Sequence, residues 1–214
     1  MPLDLTTFAG RSQLCLSAVI VLLDDWTGGL IRGKAAIKLQ NIYGYEFRQS
    51  IVAKADGVFT LVNVPSGQYQ LSVEAQYYDH PTSYDLNLPD QATSFANVSV
   101  TLRPNANYPF PADAALIRGI ITNQQGAPLP GVAIAPSPKR PVPHPTFSAF
   151  NGRFVMYFKT LTSDPEKIQL RLTKRGYNSK KKTLNVHPGR ATVHTITLSH
   201  TKPKVKSSVP QGAI

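Results

Sequence analysis

The stretch Asp56 to Val73, DGVFTLVNVPSGQYQLSV, constrains this chain more than any other. Asp56-Gly57 is a turn signal, because glycine tolerates positive φ and the aspartate side chain can bond its own backbone. Val58 to Val64 is rich in β-branched and aromatic residues, which suit a pleated, half-buried surface. Pro65-Ser66-Gly67 interrupts the run. Tyr69, Leu71 and Val73 then alternate with Gln68, Gln70, Ser72 and Glu74. Period two puts the apolar set on one sheet face and the polar set in water. The stretch predicts two antiparallel strands, and it contains no group placed for chemistry.

The same plan is written twice. A strand enters a turn containing glycine (Gly28-Gly29; Gly126), and a second glycine opens the next strand (Gly33; Gly131). A loop leads to Asp56-Gly57 in one half and Asn151-Gly152 in the other, each followed two residues later by a phenylalanine, Phe59 and Phe154. A later strand ends near an aromatic, Tyr77 and Tyr177. Leu86-Asn87-Leu88 and Leu184-Asn185-Val186 then precede a final alternating strand. A repeat of about 90 residues signals two similar domains in tandem, not a solenoid of short units. The expected division is residues 1–104, with a short leader over 1–12, a Pro-rich linker over 105–114, a second domain over 115–200 and a polar tail over 201–214. Phe59 and Phe154 are expected to face inward.

Helical periodicity is nearly absent, and 18 prolines and 14 glycines punctuate the chain. Many short strands between such turns predict an all-β protein of two antiparallel sandwiches. The single cysteine, Cys15, rules out an internal disulfide and is expected to be a buried, inert thiol. The longest apolar run, Leu14 to Leu23, has about half the ~20 residues of a membrane-spanning helix and reads as a first core strand. Asp24-Asp25-Trp26 follows it with no small-residue cleavage site, so a cytoplasmic setting is expected over secretion.

At IRGIITNQQGAPLPGVAI and NGRFVMYF in the second half, and at TGGLIRGKAAIKL and DGVFTLVNVPSGQYQLSV in the first, the chain resembles the carboxypeptidase regulatory-like domain. That resemblance implies a seven-stranded transthyretin-like, or Ig-like, sandwich in each half. Such domains are usually accessory, and the two-domain form joined by YPFPADAALIRG looks most like small proteins encoded with phage-tail-like contractile injection systems. It implies a structural or adaptor subunit assembled into a particle.

Enzymatic readings of the same fold find little purchase. Hydroxyisourate hydrolases end in Tyr-Arg-Gly-Ser, whereas this chain ends Pro-Gln-Gly-Ala-Ile. Tyr77, Tyr78 and His80 invite comparison with the two-Tyr, two-His iron site of intradiol dioxygenases, but they read more simply as a strand end and the start of a loop. The histidines at 80, 144, 187, 194 and 200 show no metal-binding spacing and are expected to be exposed. Asp24-Asp25 lacks a calcium-loop pattern and reads as a strand-end turn. No cofactor is expected, and the chain is expected not to be an enzyme. Trp26, the only tryptophan, is either a core cap or an interface anchor.

Charge divides the halves sharply. Residues 1–104 carry 7 Lys/Arg against 9 Asp/Glu, a net of −2, whereas residues 105–214 carry 16 against 3, a net of +13. Such asymmetry points to different partners for the two halves. The densest cluster is KRGYNSKKK, which supplies Lys174, Arg175, Lys180, Lys181 and Lys182, and Lys202, Lys204 and Lys206 extend it into the tail. These residues, with Trp26, are the candidate protein-binding set. Three readings stand: edge lysines that keep sheets apart, docking on acidic subunits of a larger assembly, and nucleic-acid binding. The last is less favoured, because one interleaved aromatic and no recognised motif accompany the cations. A carbohydrate- or cell-surface-binding module is the alternative, and exposed aromatics around Tyr43, Tyr45 and Phe47, or Tyr77, Tyr78 and Tyr84, would favour it.

Overall fold

A computed structural model describes residues 14–79, 82–90, 94–137, 146–161 and 163–201. It divides into two compact units, Met1–Tyr108 and Pro109–Ile214. Each contains seven strands among the described residues, the number implied by the resemblance.

In the first unit, β1 (Leu16–Asp24), β3 (Ile51–Ala53), β4 (Val58–Val62) and β7 (Ala96–Leu102) form a sheet of order β3-β4-β1-β7. Strands β2 (Ala35–Asn41), β5 (Gly67–Ala75) and β6 (Thr82–Leu88) form the second, of order β2-β5-β6. All ladders are antiparallel except β1 with β7. Inward residues of the two sheets, among them Ile20, Leu22, Phe59, Leu61 and Val100 from one and Leu39, Leu71, Val73 and Leu86 from the other, make the core.

The second unit repeats this plan. Strands β8 (Ala115–Thr122), β11 (Arg153–Phe158) and β14 (Ala191–Thr197) form a sheet of order β11-β8-β14, with β8 and β14 parallel. Strands β9 (Ala133–Ser137), β10 (Thr146–Phe147), β12 (Glu166–Thr173) and β13 (Lys180–Val186) form the sheet β10-β9-β12-β13. Ile117, Phe154, Met156 and Ile196 pack against Ile134, Leu170, Leu172 and Leu184. One strand changes allegiance: β3 pairs with β4, whereas β10, in the same place along the chain, pairs with β9.

The turn glycines explain why the repeat is so plain. The Leu22 N–H donates to Gly57 O, and the Ile121 N–H donates to Gly152 O, each at 2.8 Å. Both glycines have positive φ, 75° and 73°. A Cβ on Gly57 would lie 2.7 Å from Ile31 Cγ1, and one on Gly152 would lie 2.5 Å from Ile121 O. Only glycine satisfies both the backbone angle and the close approach. Phe59 and Phe154 are both buried, as expected.

Three expectations need correction. Tyr177 corresponds to Tyr78, not Tyr77: Tyr78 bridges Pro104 and Tyr177 bridges His200, and both amides donate three residues back, to Ala75 O and Lys174 O. Cys15 is half-buried and not fully buried, because it lies just before β1, where its backbone pairs with Asn63 instead of entering the core. His187, in the turn after β13, and His194 on β14 are half-buried, not exposed, whereas His200 is exposed; His80 and His144 lie outside the described residues.

The segment expected as a linker is shared between the units. Asn105 and Tyr108 belong to the first: the Asn105 side-chain amide donates to Tyr78 O at 2.9 Å, and Tyr108 is buried. Phe110 and Asp113 belong to the second: the Phe110 ring lies 5.4 Å from that of Tyr157, and the Gly189 N–H donates to Asp113 O at 3.0 Å. The leader and residues 202–214 of the tail, with Lys202, Lys204 and Lys206, lie outside the described residues.

The outermost strands β7 and β14 carry matching guards. Tyr84 Oη donates to Thr101 O at 3.4 Å, and Lys180 Nζ donates to Thr197 O at 3.0 Å.

Candidate functional site

The five candidate cations occupy three different places in the second unit. Lys174 and Arg175 lie in the turn between β12 and β13. Lys174 Nζ donates to Pro130 O at 2.6 Å, so this ammonium also holds the β12 end to the segment before β9. Lys181 belongs to the outer face of the β12–β13 sheet. Lys180 and Lys182 have the opposite parity on β13, the same as the buried Leu184 and Val186. Lys180 caps Thr197 O on β14, and the charge of Lys182 acts on His194. Consecutive residues on a strand point to opposite faces, so the run KKK cannot form one patch.

Two cations that the dense run concealed complete the outer face. On β12, Lys167 and Arg171 alternate with the buried Ile168, Leu170 and Leu172. Arg171 lies directly opposite Lys181 on β13 and opposite Ala135 on β9. Like charges directly opposite across strands destabilise a sheet, so the pair does not favour the β12–β13 ladder. The period-two pattern of EKIQLRLT could have revealed Lys167 and Arg171, but they are spaced among neutral residues and escape a search for charge density.

Acidic compensation is scarce. The second unit has three acidic residues, Asp113, Asp164 and Glu166. Glu166 is buried, and Asp164 Oδ1 lies 2.8 Å from His187 Nδ1. On β14, burial and then the nearby Lys182 charge lower the pKa of His194; its Nε2 is buried with no hydrogen-bond partner among the described residues.

Trp26 belongs to the first unit, half-buried in the turn that follows β1. Its N–H donates to Asp24 Oδ1 at 2.8 Å. Asp24 does more than end a strand. Fully buried, it accepts a short hydrogen bond from Tyr108 Oη. Tyr108 packs edge-on against Tyr78, with centroids 5.7 Å apart, and Arg32 lies over the Tyr108 ring at 5.9 Å. Burial, more than any neighbour, pushes the Tyr78 phenol up to about 12 and also raises that of Tyr108.

Tyr78 Oη accepts the Arg32 N–H at 2.9 Å in a fully buried position. This phenol is a packing element, and of the iron-ligand comparison His80 lies outside the described residues. No cluster of three or more His, Cys, Asp or Glu positioned to hold a metal occurs among the described residues. No helix among them is long and apolar enough to cross a membrane.

The two aromatic groups named from the sequence differ. Tyr78 is buried and Tyr77 and Tyr84 are half-buried, whereas Tyr43 is 87% exposed and Tyr45 65% exposed. Tyr45, Phe47 and Tyr69 form a chain of edge-to-face contacts running from that surface to the core.

No known protein family matches this chain, and neither does any curated protein. Solved structures overlap it only in outline. The TIE protein of Bacillus anthracis aligns over 87% of this chain at 14% identity and a TM-score of 0.36; the match spans 34% of that protein, about a third of its length. A streptococcal ancillary pilin aligns over 88% of this chain and 69% of its own at 11% identity and a TM-score of 0.33. A 3-chlorocatechol 1,2-dioxygenase of Rhodococcus opacus aligns over 40% of this chain and 59% of its own at 17% identity and a TM-score of 0.29. The assignment of two all-β sandwiches stands on the strand orders and registers given above.

Proposed function

We propose that the chain is a non-enzymatic structural subunit of a larger protein assembly, docking through the second unit on an acidic protein surface. The observation that carries this reading is the Arg171–Lys181 pair, two like charges set opposite each other on a solvent face. Lys167 on the same face and the +13 charge of residues 105–214 support it. A positive face steers and orients an acidic partner. The setting we propose is a phage-tail-like contractile particle, on the resemblance of the two-domain form to small proteins of such systems.

The test compares two double variants of the full chain in assembly with its particle. Arg171→Gln with Lys181→Gln removes the outer-face pair, whereas Lys180→Gln with Lys182→Gln removes the cations of opposite parity. The first should slow incorporation and weaken its salt dependence; the second should change it less. Equal, normal incorporation of the outer-face variant rejects docking there. Salt-sensitive capture of duplex DNA by the parent, lost in that variant, would reassign the face to phosphate binding.

A further inference from the structure

The outer face of β2-β5-β6 in the first unit concentrates side-chain amides. Gln40, Gln70 and Asp85 lie side by side across the three strands, and Gln68 lies opposite Asn87. The corresponding triplet in the second unit is Ser137, Gln169 and Thr183, and the corresponding pair is Lys167 and Asn185. The fold therefore does not require this concentration of amides. The face forms an open groove of about 560 Å³, within the usual size of small-molecule sites.

The β2–β3 loop rises at one end of the groove, which Ile42 and Gly44 help to line. Asn41 Oδ1 accepts the N–H groups of both Tyr43 and Tyr45, at 3.0 and 2.9 Å, and fixes the loop. The contacts from Tyr45 through Phe47 to the buried Tyr69 anchor it further. The backbone at Tyr43 and the ring of Tyr45 are thus fixed in the loop that helps to line the groove.

We propose that this groove binds a neutral oligosaccharide. Each amide offers donors and an acceptor and Asp85 adds a bidentate acceptor, matching sugar hydroxyls that both donate and accept. A tyrosine ring presents a negative face suited to the slightly positive C–H face of a pyranose. The groove carries one carboxylate and no cation among its lining residues, which sets it apart from the charge-driven docking of the second unit.

The test is affinity electrophoresis of the full chain in native gels containing a soluble β-glucan, an α-glucan or a mannan, one per gel. At least one glycan should retard the chain, and ~0.5 M sodium chloride should leave the retardation unchanged, since charge screening does not touch neutral contacts. Tyr43→Ala and Gln70→Ala, both at exposed positions, should each weaken the interaction by about tenfold or more while leaving the urea midpoint unchanged. Absence of retardation in all three gels overturns the proposal. So does retardation of both variants equal to that of the parent, or loss of retardation in salt. None of these outcomes bears on the Arg171–Lys181 face.

Discussion

Phe154 lies directly over Gly119. The two pair across β11 and β8, and a Cβ on Gly119 would lie 2.6 Å from Phe154 Cε1 and 2.3 Å from His194 O. In the first unit the corresponding cross-strand pair is Phe59 with Ile20. The same inward phenylalanine therefore meets a branched side chain in one core and bare backbone in the other.

Phe59→Ala and Phe154→Ala should each cost about 3–5 kcal/mol, the usual loss for emptying a buried aromatic site. Gly119→Ala should also destabilise, by about 1–3 kcal/mol, because the added methyl enters filled space. Urea unfolding followed by tryptophan fluorescence for Phe59, and by circular dichroism for the others, measures both. A neutral Gly119→Ala would show that Phe154 yields freely.

Fragment 1–108 should be more stable than fragment 1–104. Only the longer one keeps Asn105 on Tyr78 O and Tyr108 on the buried Asp24 carboxylate. A buried carboxylate that loses one of its donors, here Tyr108 while the Trp26 N–H remains, costs about 1–3 kcal/mol, so 1–104 should unfold at distinctly lower urea. Equal midpoints would remove Tyr108 from the first fold.

The alkaline limb of stability should depend on Tyr78. Its folded pKa of about 12 lies above the ordinary 10.0. A raised pKa means that the protonated phenol is the stabilising form. The contribution is whole below pH 10 and disappears as pH rises through about 12. Tyr78→Phe should flatten that decline, read as urea midpoint against pH.

His194 acts at the other end of the scale. Burial lowers its pKa below the ordinary 6.5, so the unfolded chain takes up the proton first. Stability from the neutral ring is present above pH 6.5 and lost as pH falls through the folded value. His194→Gln should reduce the acid sensitivity of the second unit. An unaltered acid limb would place the titration elsewhere.

Relieving the Arg171–Lys181 pair should stabilise the second unit slightly. Lys181→Gln removes the repulsion and should gain roughly 0.2–1 kcal/mol, even as docking weakens. A loss of stability would mean that the pair has an unrecognised structural partner.

Local chemistry was legible in the sequence; long-range pairing was not. The Gly57 and Gly152 turns and the inward Phe59 and Phe154 follow from turn preference and period two. Tyr77 and Tyr78 are neighbours, so spacing alone could not say which matches Tyr177, and the bridges to Pro104 and His200 decide it. Asp24 and Tyr108 stand 84 positions apart, and nothing local in either marks the other. The cationic face was half legible: Lys181 lay in the dense run, while Lys167 and Arg171 were hidden by dilution, and parity on β13 split the three lysines.

The side-chain guards on Thr101 O and Thr197 O have a consequence for growth. A strand at a sheet margin is an open template on which another chain can extend the ladder. Here Tyr84 and Lys180 occupy a carbonyl at the same place in each unit, so an incoming backbone meets a spent acceptor and a bulky or charged obstacle. A second copy approaching either of these two margins would find one fewer acceptor for its ladder. Lys180, counted at first among the docking cations, is engaged at that margin by the β14 carbonyl.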